Sequence, residues 1–147
     1  MNISMKRPPS NLLQDVTIRA ALKQAWDDSL PGNTGGHEEG GFILRDSTGN
    51  LKVIRCLSGK KNSIILPEHT DCRFGEDDII ATFHTHPNTG ANYLQEPSET
   101  DKRAVRDDPD LKGEFYMAEF VISQEMIYLI LPDGHVTEVG YRWENPD

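Results

Sequence analysis

Within the stretch ATFHTHPNTGANYLQEPSETD (residues 81–101), His84, His86, Ser98 and Asp101 are the side chains whose types and spacing can do chemistry. The apolar run DIIATF leads into the two histidines and Pro87 follows them. In an extended strand alternate side chains share a face, so His84 and His86 point one way and Thr85 the other. Their ring nitrogens can then converge on one ion. Pro87 turns the chain off the strand, which leaves the pair at the strand's open end. The segment SETD has the Ser-x-x-Asp form of a helix start, with Ser98 as N-cap and Asp101 at the third helical position. The helix terminus holds a carboxylate there in its ionised form, as a metal ligand must be. Two imidazoles and one carboxylate suit a tetrahedral zinc with its fourth position left to water.

Water activated by a metal still has to give up its proton. The segment GGHEEGGFIL supplies two candidate acceptors, Glu38 and Glu39, and the residues alone do not choose between them. Either can take the proton and pass it to a leaving amine, while the Ser98 hydroxyl can donate to a developing oxyanion. His37 beside them is a spare nitrogen ligand, and His69 and His135 are isolated residues expected at the surface. Each piece has an ordinary reading by itself. An H-x-H at a strand end is more often two half-exposed histidines, Ser98 with Asp101 is a helix cap, and Glu38-Glu39 is a solvated loop. The combination gives the pieces their meaning.

The elements that must position these groups are legible in outline. Residues 1–12 are polar, with Pro8 and Pro9, and are expected to form a mobile N-terminal arm ahead of a domain covering 13–147. DVTIRAALKQAWDDSL places Ile18, Leu22, Ala25 and Trp26 on one helical face, stopped by Pro31 and Gly32. GGFILR and LKVIRCL, joined by the turn DSTGN, predict a hairpin, and NSIILP a further short strand. Residues 67–77 are polar and irregular. DIIATFHTHP predicts a buried strand, the segment 88–97 a loop, and SETDKRAVRDD a second helix. FYMAEFVIS, MIYLILP and HVTEVGYRW predict three more strands, with Asp133-Gly134 turning the last two. The order helix, strands, helix, strands implies one α+β domain whose helices flank a mixed, mostly antiparallel sheet.

Composition bounds the function. The 147 residues carry a net charge of −9, from 24 acidic against 15 basic side chains. Such a surface repels phosphate backbones, so nucleic acid is excluded as the expected partner, and a basic protein or peptide surface is favoured. No apolar run is long enough to span a membrane, and the start MNISMKRPPS lacks the apolar stretch of a secretory signal. Cys56 and Cys72 lack C-x-x-C spacing and are expected to be structural thiols, so the chain is expected in the cytoplasm.

EEGGFIL and HTHPNTGANYLQEPSETD taken together form a Glu-x-x-Gly, an H-x-H-P and an S-x-x-D in one chain. This set resembles the JAMM (MPN-plus, JAB-domain) zinc metalloproteases, in a bacterial-type, deubiquitinase-like form. The resemblance implies a cytidine-deaminase-like fold with one zinc per chain held by His84, His86 and Asp101. It further implies Glu38 as general base, because Glu38 rather than Glu39 forms Glu-x-x-Gly with Gly41, and Ser98 as the oxyanion-stabilising residue. The implied reaction is hydrolysis of a peptide or isopeptide bond after the C-terminal glycine of a ubiquitin-like or sulfur-carrier-like protein. The segment NTGANYLQEP between Pro87 and Ser98 is longer than the family usually has, and no inserted segment resembles those that grip a ubiquitin chain. Other H-x-H enzymes fit less well. HTHPNT lacks the further ligands of a metallo-β-lactamase, and an amidohydrolase barrel typically needs about 250 residues. A cupin could use His135 as its late ligand, but the helix start at Ser98 spoils a pure jelly roll. A RadC-like protein associated with DNA matches the H-x-H-P…P-S-x-x-D form, and the negative charge opposes it. The alternative from another class is a non-catalytic metal- or protein-binding module on the same fold.

Overall fold

A computed structural model describes residues 9–31, 36–56, 59, 69, 72–87, 97–124 and 126–141. The first helix starts where its cap residue dictates. The Asp15 carboxylate accepts the Ile18 amide at 3.1 Å, and α1 runs Val16–Asp28. Its buried residues are Ile18, Leu22, Ala25 and Trp26, the stripe that the sequence spacing predicts. The helix ends earlier than Pro31 would require. Ser29 donates its hydroxyl to the Trp26 carbonyl at 2.6 Å and its amide to the Ala25 carbonyl, and Leu30 then turns left-handed at φ 53°.

The strands follow as β1 (Gly40–Arg45), β2 (Leu51–Arg55), β3 (Arg73–Phe74) and β4 (Asp77–Thr85). After them come α2 (Glu99–Arg106), a 3₁₀ turn (Pro109–Leu111), β5 (Ala118–Ile122), β6 (Met126–Ile130) and β7 (Val136–Tyr141). They form one sheet in the order β2-β1-β4-β5-β6-β7, with β3 beside β4. All the pairs are antiparallel except β4 with β5, which runs parallel. Two parallel neighbours need a long crossover, and α2 with the 3₁₀ turn supplies it. Over the described residues the result is a single mixed α+β domain with a mostly antiparallel open sheet and two α-helices.

Strand alternation sorts the core onto the two faces of the sheet. Ile43, Phe83, Phe120, Ile122 and Ile127 pack with the α1 stripe. Phe42, Leu44, Ile79, Val121 and Ile130 pack on the other side with Val105 of α2, Leu111 and Tyr116. No helix among the described residues is long and apolar enough to cross a membrane. Cys56 and Cys72 are both buried and free, as expected of structural thiols.

Three expectations need correction or placement. The arm expected over residues 1–12 is folded at its end: Pro9–Gln14 form a 3₁₀ helix, and Leu12 and Leu13 are buried against α1 because two adjacent leucines have an apolar surface to cover. Residues 67–77 were expected to be irregular, yet Arg73–Phe74 pair with Asp77 and Asp78 as β3. Cys72 at φ 58° and Gly75 at φ 63° supply the backbone turns around that short strand. His69 is not a surface residue. It sits edge-on to Phe42, with ring centroids 5.4 Å apart, and its Nε2 lies 2.9 Å from Asp108 Oδ2. The segment NSIILP, residues 32–35 of the first loop and residues 88–96 of the second fall outside the described residues.

Candidate metal centre

The open end of β4 carries the centre. β4 ends at Thr85, and the His86 amide donates to the Ile122 carbonyl at 2.8 Å, which keeps the chain extended one residue further along β5. His84 and His86 therefore face the same way as expected, with their Nε2 atoms 3.3 Å apart. The second helix begins at Ser98. Its hydroxyl accepts the Asp101 amide at 3.0 Å, and Asp101 Oδ2 accepts the Ser98 amide at 2.8 Å, a complete capping box. The box fixes the Asp101 carboxylate in place, with Oδ2 3.1 Å from His86 Nε2 and Oδ1 3.5 Å from His84 Nε2. The potential ligand atoms of His84, His86 and Asp101 all lie within 4.8 Å of one another, so the three form a group that can hold a metal ion.

The electrostatics suit a cation. Burial raises the Asp101 carboxyl, but hydrogen bonds from His84, His86 and the Ser98 amide outweigh it and hold the group far below its ordinary range. Burial pulls the His84 imidazolium down, yet the facing Glu119 and Asp101 carboxylates reverse the sign and leave its pKa well above the usual value. The pocket is thus built to stabilise positive charge at His84 Nε2, where a proton or a metal ion can supply it.

Strand register separates the two glutamates. Gly40 pairs with His84, and the ladder continues one step outwards, with the Thr85 amide donating to the Glu39 carbonyl at 2.9 Å. Glu39 therefore stands opposite Thr85 and Glu38 opposite His86, on alternate faces of the sheet. The Glu39 carboxylate turns to the α1 side, where it meets Arg55 and His37, each at 2.5 Å, and Arg55 also reaches Asp28 of α1 at 3.1 Å. That accounts for His37, which pairs with Glu39 and is not part of the ligand group. Glu38 is buried at 7% exposure; its backbone carbonyl accepts the Gly59 amide at 2.8 Å, while its carboxylate has no hydrogen-bond or ion-pair partner among the described residues. Burial pushes its pKa up to about 7, with His84 pulling it down and Asp101 and Glu119 pushing it up. The glycines after the pair are there for space. A Cβ on Gly40 would stand 2.4 Å from the Phe83 carbonyl oxygen, and one on Gly41 would stand 1.9 Å from that of Ile54.

Glu38 carries a stability consequence. Its folded pKa of about 7 lies above its ordinary 4.5, so the stability it contributes is complete below pH 4.5 and is lost as pH rises to 7. Glu38→Gln removes that loss. In chelator-treated protein the melting temperature of the variant, relative to wild type, is expected to climb between pH 4.5 and 7, by an amount on the order of 2 kcal/mol in stability. A difference constant with pH would show that Glu38 is not held in a desolvated site.

The sequence reading missed Glu119. It is 6% exposed as the second residue of β5, with Oε2 2.6 Å from His84 Nδ1 and Oε1 2.8 Å from the Thr82 hydroxyl. The available signal was one acid inside the apolar run MAEFVI, since a buried carboxylate needs partners. No family model, no curated protein and no solved structure matches this chain.

Proposed function

We propose that the chain is a JAMM-type zinc metallopeptidase that hydrolyses a peptide or isopeptide bond after the C-terminal glycine of a ubiquitin-like protein. The observation that carries this reading is the convergence of His84, His86 and Asp101, with Glu38 brought by strand register to the same face. Two donor separations suit zinc, 3.3 Å between the two Nε2 atoms and 3.1 Å from His86 Nε2 to Asp101 Oδ2. Tetrahedral bonds of about 2.0–2.1 Å, as zinc makes to imidazole and carboxylate, place neighbouring ligands about 3.3–3.4 Å apart. Zinc bound there would lower the pKa of water to about 7 and polarise a carbonyl as a Lewis acid.

The chain's own residues do the rest. Glu38, whose carboxylate is desolvated and free of hydrogen bonds among the described residues, accepts a proton from the attacking water and delivers it to the leaving amine. The Ser98 hydroxyl uses its oxygen to cap α2, and its hydrogen remains to donate to a developing oxyanion. The two buried free thiols suit a reducing compartment such as the cytoplasm.

Ser98→Asp separates the two jobs of that residue. Asp caps a helix as well as Ser does but cannot donate when ionised, so the variant is expected to fold, to keep its metal and to lose about 100-fold or more in kcat. Turnover near wild type would reduce Ser98 to a helix cap.

The reading is tested by incubating the zinc-loaded protein with ubiquitin-like fusions ending in Gly-Gly and, in parallel, with unrelated unfolded proteins. Cleavage confined to the junction after the glycines is expected. Indiscriminate cutting would mark a general peptidase, and no cutting by a fully loaded protein would mark a binding module.

A further inference from the structure

We infer that Glu119 is the positioning residue of the metal centre, holding His84 through Nδ1 so that Nε2 faces the ion, and that Thr82 and Tyr116 hold Glu119 in turn. The inference rests on the proposed metal reading and adds residues to it that the motif does not contain.

Hydrogen-bond chemistry gives this chain a direction. A carboxylate only accepts, so His84 donates its Nδ1 hydrogen to Glu119 Oε2 at 2.6 Å, and Thr82 donates its hydroxyl hydrogen to Oε1 at 2.8 Å. Thr82 has no second hydrogen, so at 2.7 Å the Tyr116 hydroxyl is the donor and Thr82 the acceptor. Burial, followed by the nearby Glu119 charge, raises the Tyr116 hydroxyl's pKa well above its usual value and keeps that donor protonated. With the hydrogen fixed on Nδ1, the neutral imidazole presents the lone pair of Nε2 to His86 and Asp101, the tautomer a metal ligand needs.

The sheet makes this arrangement rigid. Thr82 and Glu119 are paired residues of β4 and β5, and His84 follows Thr82 on the same face. Thr82, His84 and Glu119 are each buried to 6% exposure or less, and Tyr116 to 5%. Charge supports the same conclusion. Asp101 in the ligand group and Glu119 one imidazole away would together balance a divalent cation in a buried place, where an unbalanced charge is expensive.

The test measures zinc affinity by competition with a chromophoric chelator for wild type, Glu119→Gln and Thr82→Val. Glu119→Gln keeps the shape and loses the charge, and is expected to bind zinc about 10–100-fold more weakly. Thr82→Val removes only the hydroxyl that steadies Glu119, and is expected to weaken zinc binding in the same direction by a smaller factor. In the zinc-loaded wild type the His84 Nδ1 proton should resonate far downfield in NMR spectra. It should move upfield in Glu119→Gln while the His86 ring signals stay in place, which a merely structural effect would not produce. Wild-type affinity in a folded Glu119→Gln overturns the inference and leaves the metal centre standing. If Glu119→Gln fails to fold, unchanged affinity in Thr82→Val overturns it instead. A wild-type chain that binds no zinc overturns both.

Discussion

Glu38→Gln is expected to keep its metal and to lose about 10²–10⁴-fold in turnover, the range that a positioned proton acceptor contributes. The physical case rests on where the carboxylate lies. It is buried, its pKa is pushed up to about 7, and it shares the sheet face of His84 and His86. A bound divalent cation pulls that value down, so turnover should rise with pH through a point at or below about 7 and then level off. Glu39→Gln is the contrasting variant. It weakens the Glu39–Arg55 pair but leaves Arg55 bound to Asp28, and should lower stability by about 1–3 kcal/mol while the folded fraction turns over normally. If the folded Glu39 variant were inactive and the Glu38 variant active, the two roles would be transposed. Both measurements need the same fusion substrate and a zinc assay of each variant.

His86→Ala is expected to abolish metal retention, whereas the wild-type chain should carry about one zinc after desalting, read by elemental analysis. Of the three candidate ligands this one disturbs the scaffold least. Replacing His84 would strand the buried Glu119 carboxylate, and replacing Asp101 would open the capping box that starts α2. His86 lies beyond the last residue of β4, and its removal takes away one corner of the donor triangle. Loss of metal with an unchanged metal-free melting temperature would place the effect at the centre itself. Full zinc content in this variant would disprove the proposed ligand set.

Local chemistry was readable before any fold was known. Ser98 announces a helix start because a side-chain oxygen near an unpaired amide acts within three residues, and it caps as expected; Asp15 caps α1 by the same chemistry. The apolar stripe of α1 and the shared face of His84 and His86 follow from periods of 3.6 and 2, which are properties of the backbone alone. Asp101 was likewise placed by its distance from Ser98. These signals reach only a few residues along the chain.

What the sequence could not settle involves partners far apart in it. Glu38 and Glu39 are adjacent and chemically identical in type, and a one-residue change in pairing register exchanges their faces. Only the pairing of Gly40 with His84, more than 40 residues away, sends Glu39 to Arg55 and Glu38 to the metal face. Glu119 belongs to the centre because β5 lies parallel beside β4, a neighbour relation created by the crossover through α2 and written in no local motif. His69 was misplaced for the same reason, since Phe42 and Asp108 reach it from distant segments. The sequence by itself determined the types of the candidate ligands and the local geometry that aims them, because those depend on short-range backbone periodicity. Tertiary structure alone decided which carboxylate is desolvated, which is paired with Arg55 and which is paired with His84, because burial and charge pairing depend on strands brought together from across the chain.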